Sequence, residues 1–321
     1  MRNKRLNRSS RRLKKLTDCV IRTRGAVKTY GRLNALDGVS VNVRRGEIYG
    51  LIGDNGAGKT TLLKAIVGHI FLSQGEVSVL GSENSRSLSS ARKQIGAMIE
   101  KVGCFPNLSV EKSMEYCRIL KGIPDKKKTA EILEVVGLSH KAKSKCSQLS
   151  MGMKQRLGLA IALIGEPQIL ILDEPINGLD PSGIHEFREL LKSLNARKNI
   201  TILLSSHILS ELQQTATTFG FLSNGKLIEE VSAEQLAEKC ADYIEISVSD
   251  AEAYAALLDK YLSDENYIVT PSGKLRLVAP KRAPEVYSRL AAQNGILVTG
   301  LEHHNRSLED YYMHLKEGAH A

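Results

Sequence analysis

The sequence contains no tryptophan and only 5 cysteines among its 321 residues. The cysteines are odd in number and widely separated, and none forms a C-x-x-C pair: Cys19, Cys104, Cys117, Cys146 and Cys240. This pattern favours neither a disulfide framework nor a cysteine-rich metal centre. It is typical of reduced thiols in an intracellular protein.

Long apolar runs are also missing. Crossing a bilayer takes about 20 consecutive apolar residues, and the best stretch, 157–172, is interrupted by Glu166, Pro167 and Gln168. No apolar segment follows the basic N-terminus, so the sequence shows no secretory signal. We expect a cytoplasmic protein, peripheral on the plasma membrane, whose membrane-spanning helices would belong to separate transmembrane permease subunits.

Positive charge is concentrated near the N-terminus. The formal net charge is +10, of which eight basic residues contribute +8, leaving 10 − 8 = +2 for the rest of the chain. These residues are Arg2, Lys4, Arg5, Arg8, Arg11, Arg12, Lys14 and Lys15. We expect residues 1–18 to form a disordered basic tail. The tail is either a solvated extension or a contact for anionic membrane lipid, whereas nucleic-acid binding is disfavoured because no aromatic residues are interleaved.

Apolar runs of strand length alternate with helical patterns between residues 19 and 239. Strands are expected at 47–52, 169–172 and 201–205, and helices at 59–67 and 181–194. This alternation predicts an α/β domain whose parallel sheet is covered on both faces. Residues from about 90 to 165 are helical in pattern, which predicts a helical subdomain inserted into that domain.

The remaining residues, 240–321, have a different order of elements. Two helices, 252–261 and 284–292, alternate with strands in the order strand, helix, strand, strand, helix, strand. This order is typical of a small split-βαβ domain. The expected strands are 243–248, 267–270, 275–278 and 296–298, and a last helix starts near Ser307.

The segment 53–60 matches G-x-x-x-x-G-K-[ST], the phosphate-binding P-loop, and it lies between an expected strand and an expected helix. Its residues are Gly53, Asp54, Asn55, Gly56, Ala57, Gly58, Lys59 and Thr60. The glycines let successive backbone N–H groups surround phosphate oxygens. Lys59 would reach the β- and γ-phosphates, and the Thr60 hydroxyl would coordinate Mg²⁺. The sequence therefore predicts a site for the phosphates of a nucleotide and for Mg²⁺.

Two acidic residues follow a second buried strand. Asp173 would emerge at the carboxyl end of the strand, where open α/β sheets bind ligands, and would hold the Mg²⁺ shell. Glu174 would polarise the attacking water in a hydrolysis reaction. His207 follows the strand 201–205, so it would reach the same edge and contact the γ-phosphate.

A second helix start suited to an anion lies in the stretch LSMGMKQR. Ser150 offers a hydroxyl cap, Gly152 leaves the backbone accessible, and the first free N–H groups of the helix favour negative charge. One chain therefore carries two predicted phosphate sites.

These motifs together resemble the ATP-binding subunits of ABC transporters. The resemblance rests on GDNGAGKTT, LSMGM, ILILDEP, the turn NGLD and the tripeptide SSH, which occur in the family's order, and it covers about residues 19–230. It implies a P-loop NTPase of the ABC ATPase fold, with an antiparallel β subdomain beside the parallel sheet, and it implies ATP hydrolysis. It also implies that Thr61 belongs to the P-loop and that Tyr30 stacks on adenine.

The resemblance also implies a pair of ATP-binding domains that face each other head to tail. Ser150 and Gly152 would touch the γ-phosphate held by Lys59 of a second copy or a close paralogue. Asp180 would lie at the same interface. The permease subunits would bind the helical subdomain and the segment near Glu100.

Glu100 departs from the family pattern, because a glutamine that senses Mg²⁺ is usual there. A carboxylate can still accept a hydrogen bond from Mg²⁺-bound water, but it cannot donate one. Together with LSMGMKQRLGLA and SLEDYYMHL, this feature resembles the bacitracin and lantibiotic resistance branch. That branch implies an exporter of antimicrobial peptides. The alternatives are an importer ATPase, which shares the ATP chemistry, and a soluble ABC ATPase acting on ribosomes or DNA, which usually has two cassettes or a long coiled coil.

Overall fold

The structure is a computed structural model that describes residues 19–100, 103–240, 242–270, 272–304 and 307–318. The chain divides into two compact units, Met1–Ala233 and Glu234–Ala321. The division lies a few residues before the boundary expected between 239 and 240. The expected basic tail, residues 1–18, lies outside the described residues.

The first unit combines strands and helices in alternation. Its strands are β1 (Cys19–Tyr30), β2 (Leu33–Val39), β3 (Asn42–Arg44), β4 (Ile48–Ile52), β5 (Gln74–Val79), β6 (Ile95–Met98), β7 (Ile169–Asp173), β8 (Thr201–Ser206), β9 (Thr218–Ser223) and β10 (Lys226–Ser232). Its helices are α1 (Lys59–Val67), α2 (Ser85–Arg92), α3 (Val110–Leu120), α4 (Lys127–Val135), α5 (Met151–Leu163), α6 (Pro181–Lys198) and α7 (Leu209–Gln213). A further helix, α8 (Ala233–Lys239), follows β10.

The central sheet has the strand order β10-β9-β4-β8-β7-β6. Neighbouring strands are parallel except for β9 and β10, which form an antiparallel hairpin. Every residue of β4, β7 and β8 is buried, as expected for apolar strands in a sheet covered on both faces. The parallel sheet predicted from the sequence is confirmed. The P-loop, Asp173 and His207 lie at the carboxyl ends of its strands, on the same side of the sheet.

A second sheet forms the predicted antiparallel subdomain. The strand β1 pairs with β2, β3 and β5, in each case antiparallel. Shifts of register, between Ala26 and Lys28 and between Arg24 and Val27, interrupt its pairing. Such bulges bend a strand and increase its twist. Along its length β1 can therefore pair with three different strands.

The helical subdomain also contains a strand. Residues Ile95–Met98 lie inside the segment expected to be helical, but they form β6 and pair with β7. The helices α3, α4 and α5 follow. Ser150 caps α5 by accepting a hydrogen bond from the Met153 N–H at 3.3 Å, as the sequence predicted.

The second unit has the expected split-βαβ order. Its elements are β11 (Tyr243–Val248), α9 (Ala251–Tyr261), β12 (Asn266–Val269), β13 (Leu275–Val278), α10 (Pro284–Gln293), β14 (Val298–His304) and α11 (Leu308–Gly318). The sheet is antiparallel in the order β12-β13-β11-β14. The last strand begins at Val298 rather than Ile296, because the Ile296 N–H donates to the Ala291 carbonyl at the end of α10.

Among the described residues, no helix combines the length and apolar character that a membrane crossing requires.

Candidate functional site

The P-loop packs tightly against its surroundings. It connects β4 to α1, and Gly58, immediately before the helix, has a φ of 107° in the left-handed region that favours glycine. A Cβ atom at Gly58 would lie 2.5 Å from the Ala35 carbonyl oxygen, and one at Gly53 would lie 2.5 Å from the Leu222 carbonyl oxygen. Both positions therefore require glycine for steric reasons, independently of any ligand.

Lys59 is the buried cation of the site, with 5% of its side chain exposed. Its Nζ donates to the Gly53 carbonyl at 2.7 Å and to the Asp54 carbonyl at 3.1 Å. The same atom lies 3.2 Å from the Glu174 carboxylate. A buried ammonium needs such partners. Together they fix the Lys59 side chain between the start of the P-loop and Glu174.

The carboxylate of Asp173 is held by two hydroxyl groups. Thr60 Oγ1 donates to its Oδ2 at 2.8 Å, and the buried Ser205 Oγ donates to its Oδ1 at 2.6 Å. Ser205 Oγ also accepts from the Glu174 N–H at 2.9 Å. Ser205 therefore positions both acidic residues, through the Asp173 carboxylate and the Glu174 backbone. Sequence reasoning missed this role, although Ser205 belongs to the SSH motif.

Glu174 and His207 meet at the same edge. The backbone of Glu174 has a φ of 48°, which is uncommon for a residue with a side chain and turns it away from the line of β7. Its Oε2 lies 2.8 Å from His207 Nδ1 and accepts a 3.4 Å hydrogen bond from the His207 N–H. The predicted catalytic trio of Lys59, Glu174 and His207 is therefore assembled in the structure.

These groups adjoin a cleft of about 320 Å³. From the P-loop and β7 it is lined by Asp54, Asn55, Gly56, Gly58, Lys59, Thr60, Thr61 and Glu174. Sequence reasoning missed a second wall: Leu33, Asn34, Ala35, Asn224 and Gly225. The dipeptide Asn224-Gly225 is a strong hairpin signal that could have located β9, β10 and part of this wall.

Comparison with known proteins agrees with the phosphate-binding site seen in the structure. The ABC transporter family matches residues 36–177. The chain is 37% identical to the bacitracin transport ATP-binding protein BcrA of Bacillus licheniformis, over 93% of this chain and 98% of that protein. This chain is a member of the ABC transporter ATP-binding family.

Other relatives of this ABC ATPase agree. The lantibiotic transport ATP-binding protein SrtF of Streptococcus pyogenes is 42% identical over 63% of this chain and 86% of that protein. The solved dimer of MJ0796, a bacterial ABC transporter cassette, matches with a TM-score of 0.61 and 27% identity, over 66% of this chain and 98% of that one. Another solved state of MJ0796, at 26% identity, is a post-hydrolysis state bound to ADP and phosphate. The present chain is accordingly an ATPase that binds nucleotide.

Tyr30 is not among the residues that line the cleft of this ABC ATPase, but it is paired with Leu33, which is. It ends β1 opposite Leu33, with 49% of its surface exposed and Lys28 Nζ 5.0 Å from its ring centroid. Its stacking on adenine stays a prediction, but the ring is accessible for it.

In this ABC ATPase the start of α5, with Ser150 and Gly152, lies near the NGLD turn with Asp180. A Cβ atom at Gly152 would meet Leu179 Cδ2 at an ordinary 3.5 Å, so the start of α5 packs near the NGLD turn. Asp180 caps α6 by accepting from the Gly183 N–H at 3.1 Å. Among the described residues that line the cleft, none is Ser150, Gly152 or Asp180.

Removing the Ser205 hydroxyl should damage the site of this ABC ATPase. In Ser205→Ala the Glu174 N–H and Asp173 Oδ1 lose their shared partner, and an unsatisfied buried polar group costs about 1–3 kcal/mol. We expect a lower melting temperature and a turnover that needs more Mg²⁺. The matched variant is Ser206→Ala, since the Ser206 Oγ hydrogen-bonds to the backbone of Ile208 and not to either acidic residue among the described contacts. Equal Mg²⁺ requirements in the two variants would contradict this role for Ser205.

Proposed function

We propose that this ABC ATPase powers an exporter that confers resistance to antimicrobial peptides or similar amphipathic compounds. The observation that carries the proposal is the 37% identity to a bacitracin transport protein over 93% of the chain, which extends beyond the ATPase unit into the second unit. Further support comes from relatives named for lantibiotic transport and linearmycin resistance, the latter 32% identical over 63% of this chain.

The site fits Mg²⁺ at the acidic edge of the cleft. Thr60 Oγ1 and Asp173 Oδ2 present oxygen atoms side by side, and Mg²⁺ is usually held by one or two protein ligands together with substrate phosphates. Among the described residues there is no cluster of three or more His, Cys, Asp or Glu that would form an all-protein metal cage. Bound Mg²⁺ would neutralise charge on the β- and γ-phosphates.

The protein side chains have separate tasks in hydrolysis. Lys59 would exchange its contact with Glu174 for the β- and γ-phosphate oxygens, which frees the carboxylate. Glu174 Oε1, the oxygen that Lys59 contacts, would then accept the proton of the attacking water. His207, 2.8 Å from the other carboxylate oxygen, Oε2, would orient the carboxylate and reach the γ-phosphate.

Each complete pocket would use two copies of the ATPase domain. The anion-binding start of α5 does not belong to the cleft of its own chain, which supports a head-to-tail pair in which Ser150 and Gly152 meet the γ-phosphate held by the other copy. ATP would then join the two copies, and hydrolysis would remove the contacts of the γ-phosphate.

An apolar patch on the helical subdomain suits a permease subunit. Phe105, which precedes α3, and Tyr116 on α3 form an edge-to-face pair with centroids 4.6 Å apart. Ile119 and Leu120, also on α3, are 60% and 70% exposed. We call these four residues the α3 patch. Binding of permease subunits there would place the ATPase peripherally, on the cytoplasmic face of the plasma membrane.

A charge in the α3 patch should separate the ATPase from its permease. We expect Ile119→Glu to keep the fold, because the site is exposed and surface changes usually shift stability by about 0.5 kcal/mol or less. Copurification with the permease should fall at least about tenfold, since a charge at an apolar interface core is strongly unfavourable. The control is Val135→Glu, at an apolar residue of α4 that is 43% exposed. Equal loss in both variants would contradict the assignment of the α3 patch.

The function itself is tested by a resistance assay. The chain is expressed with a candidate permease subunit, and growth is measured against bacitracin, a lantibiotic and an unrelated antibiotic. We expect resistance to a peptide antibiotic, and its loss when Glu174 is changed to Gln in the same pair. Active ATPase with no resistance to any peptide would contradict the export proposal while leaving the ATPase chemistry intact.

A further inference from the structure

Two glutamates that follow neighbouring strands of the central sheet share the same backbone geometry. Glu100 and Glu174 each lie two residues beyond a register pair, Met98 with Leu172, of the parallel strands β6 and β7. Both have positive φ angles, 64° for Glu100 and 48° for Glu174. Since adjacent strands are about 4.8 Å apart, the two residues follow neighbouring strands at the same end of the sheet.

Each of these glutamates is paired with a lysine of α1. Lys59 Nζ contacts Glu174 at 3.2 Å, and Lys64 Nζ forms a hydrogen-bonded ion pair with Glu100. Lys64 follows Thr60 by four residues, so the two share one face of the helix. Lys64 therefore lies one helical turn after Thr60, whose hydroxyl hydrogen-bonds to Asp173.

The backbone around Lys64 is firmly fixed. Its carbonyl oxygen accepts hydrogen bonds from the N–H groups of Gly68, His69 and Ile70 at the end of α1. Arg92 donates to the carbonyls of Ala65 and Ile66 in the same turn. An ammonium on this rigid turn can hold the carboxylate of Glu100, whose left-handed backbone is otherwise unfavourable for a residue with a side chain.

We infer that Lys64 is a positioning residue that holds Glu100 in place and balances its charge beside the phosphate site. The inference deepens, and rests on, the proposed Mg²⁺–ATP site. Without Lys64 an unpaired carboxylate would join Asp173 and Glu174 at one edge and repel the phosphates. A glutamine at position 100 has no charge to balance, so the need for Lys64 should be specific to this glutamate.

The test is a double-mutant cycle on the full chain, with ATPase rates measured against ATP at saturating Mg²⁺. We expect Lys64→Gln to raise KM for ATP about two- to fivefold, the size typical of a partly exposed ion pair, with kcat unchanged. The increase should shrink at high ionic strength, and Lys64→Arg should behave like the wild type. In the Glu100→Gln background, Lys64→Gln should have no effect on KM.

Additive effects of the two changes, or a fall in kcat at unchanged KM, would overturn the inference. The control is Lys192→Gln, which removes a Lys192–Glu189 pair at 3.2 Å on the exposed face of α6. If Lys64→Gln alone failed to fold, the comparison within the Glu100→Gln background would decide. If the wild type itself showed no turnover, that would count against the proposed function, and the same cycle would be read from the affinity for a fluorescent ATP analogue.

Discussion

Glu174→Gln should retain ATP and lose nearly all turnover. The substitution keeps the size of the side chain but removes the group that accepts a proton from water, and general-base catalysis contributes about 10²–10⁴-fold to a rate. ATP affinity should be unchanged or higher, because one negative charge beside the phosphates is gone. Since the γ-phosphate then stays in place, ATP-bound dimers should accumulate, and size-exclusion chromatography with and without ATP measures this directly.

The control for that experiment is Glu189→Gln, a glutamate on α6 that pairs with Lys192 at the surface. It should leave both turnover and oligomeric state unchanged. Glu174 also contacts Lys59 and His207, so a stability effect must be separated from a catalytic one by melting curves. Turnover within a few-fold of the wild type in a folded Glu174→Gln protein would remove Glu174 from the role of base.

The elements that carry the site could be predicted from local signals. The P-loop has its own spacing, and Asp173 follows a short, wholly apolar strand. Ser150 is predicted to cap its helix, and its hydrogen bond is confirmed; Asp180 precedes Pro181, a typical helix start, and caps α6. In each case the information lies within about ten residues, which is the range over which patterns of hydrophobicity and caps are informative.

The contacts between elements could not be predicted in the same way. The pairing of Lys64 with Glu100 joins a helix to the segment after β6, and the bridge through Ser205 joins β8 to β7. Both depend on strand order and register, which a single sequence does not specify. The strand β6 was hidden for a related reason, because a short edge strand of four residues inside a helical segment has too little pattern of its own.

The proposed head-to-tail pair of ATPase domains leads to a second prediction with a large effect. It is tested with two variants that should each be inactive alone. Lys59→Met removes the cation that would bind the phosphate. Gly152→Asp places a negative charge where the γ-phosphate of the other copy would lie. The space around Gly152 admits a side chain, since among the described residues outside its own helix only Leu179 Cδ2 lies within 4 Å of a Cβ there. Each variant alone should lose nearly all ATPase activity, by at least about 10²-fold, because electrostatic groups at a phosphoryl-transfer site contribute on this scale.

Mixing the two variants should restore activity. In the proposed two-fold symmetric pair each pocket would use the P-loop of one copy and the start of α5 of the other, so a mixed dimer contains one intact pocket and one doubly damaged pocket. Random mixing makes half of the dimers mixed, so about a quarter of the wild-type rate is expected if pockets act independently. The rate should rise with the product of the two protein concentrations. A mixture no more active than its components, together with full turnover by wild-type monomers at high dilution, would show that Ser150 and Gly152 serve no phosphate on a second copy.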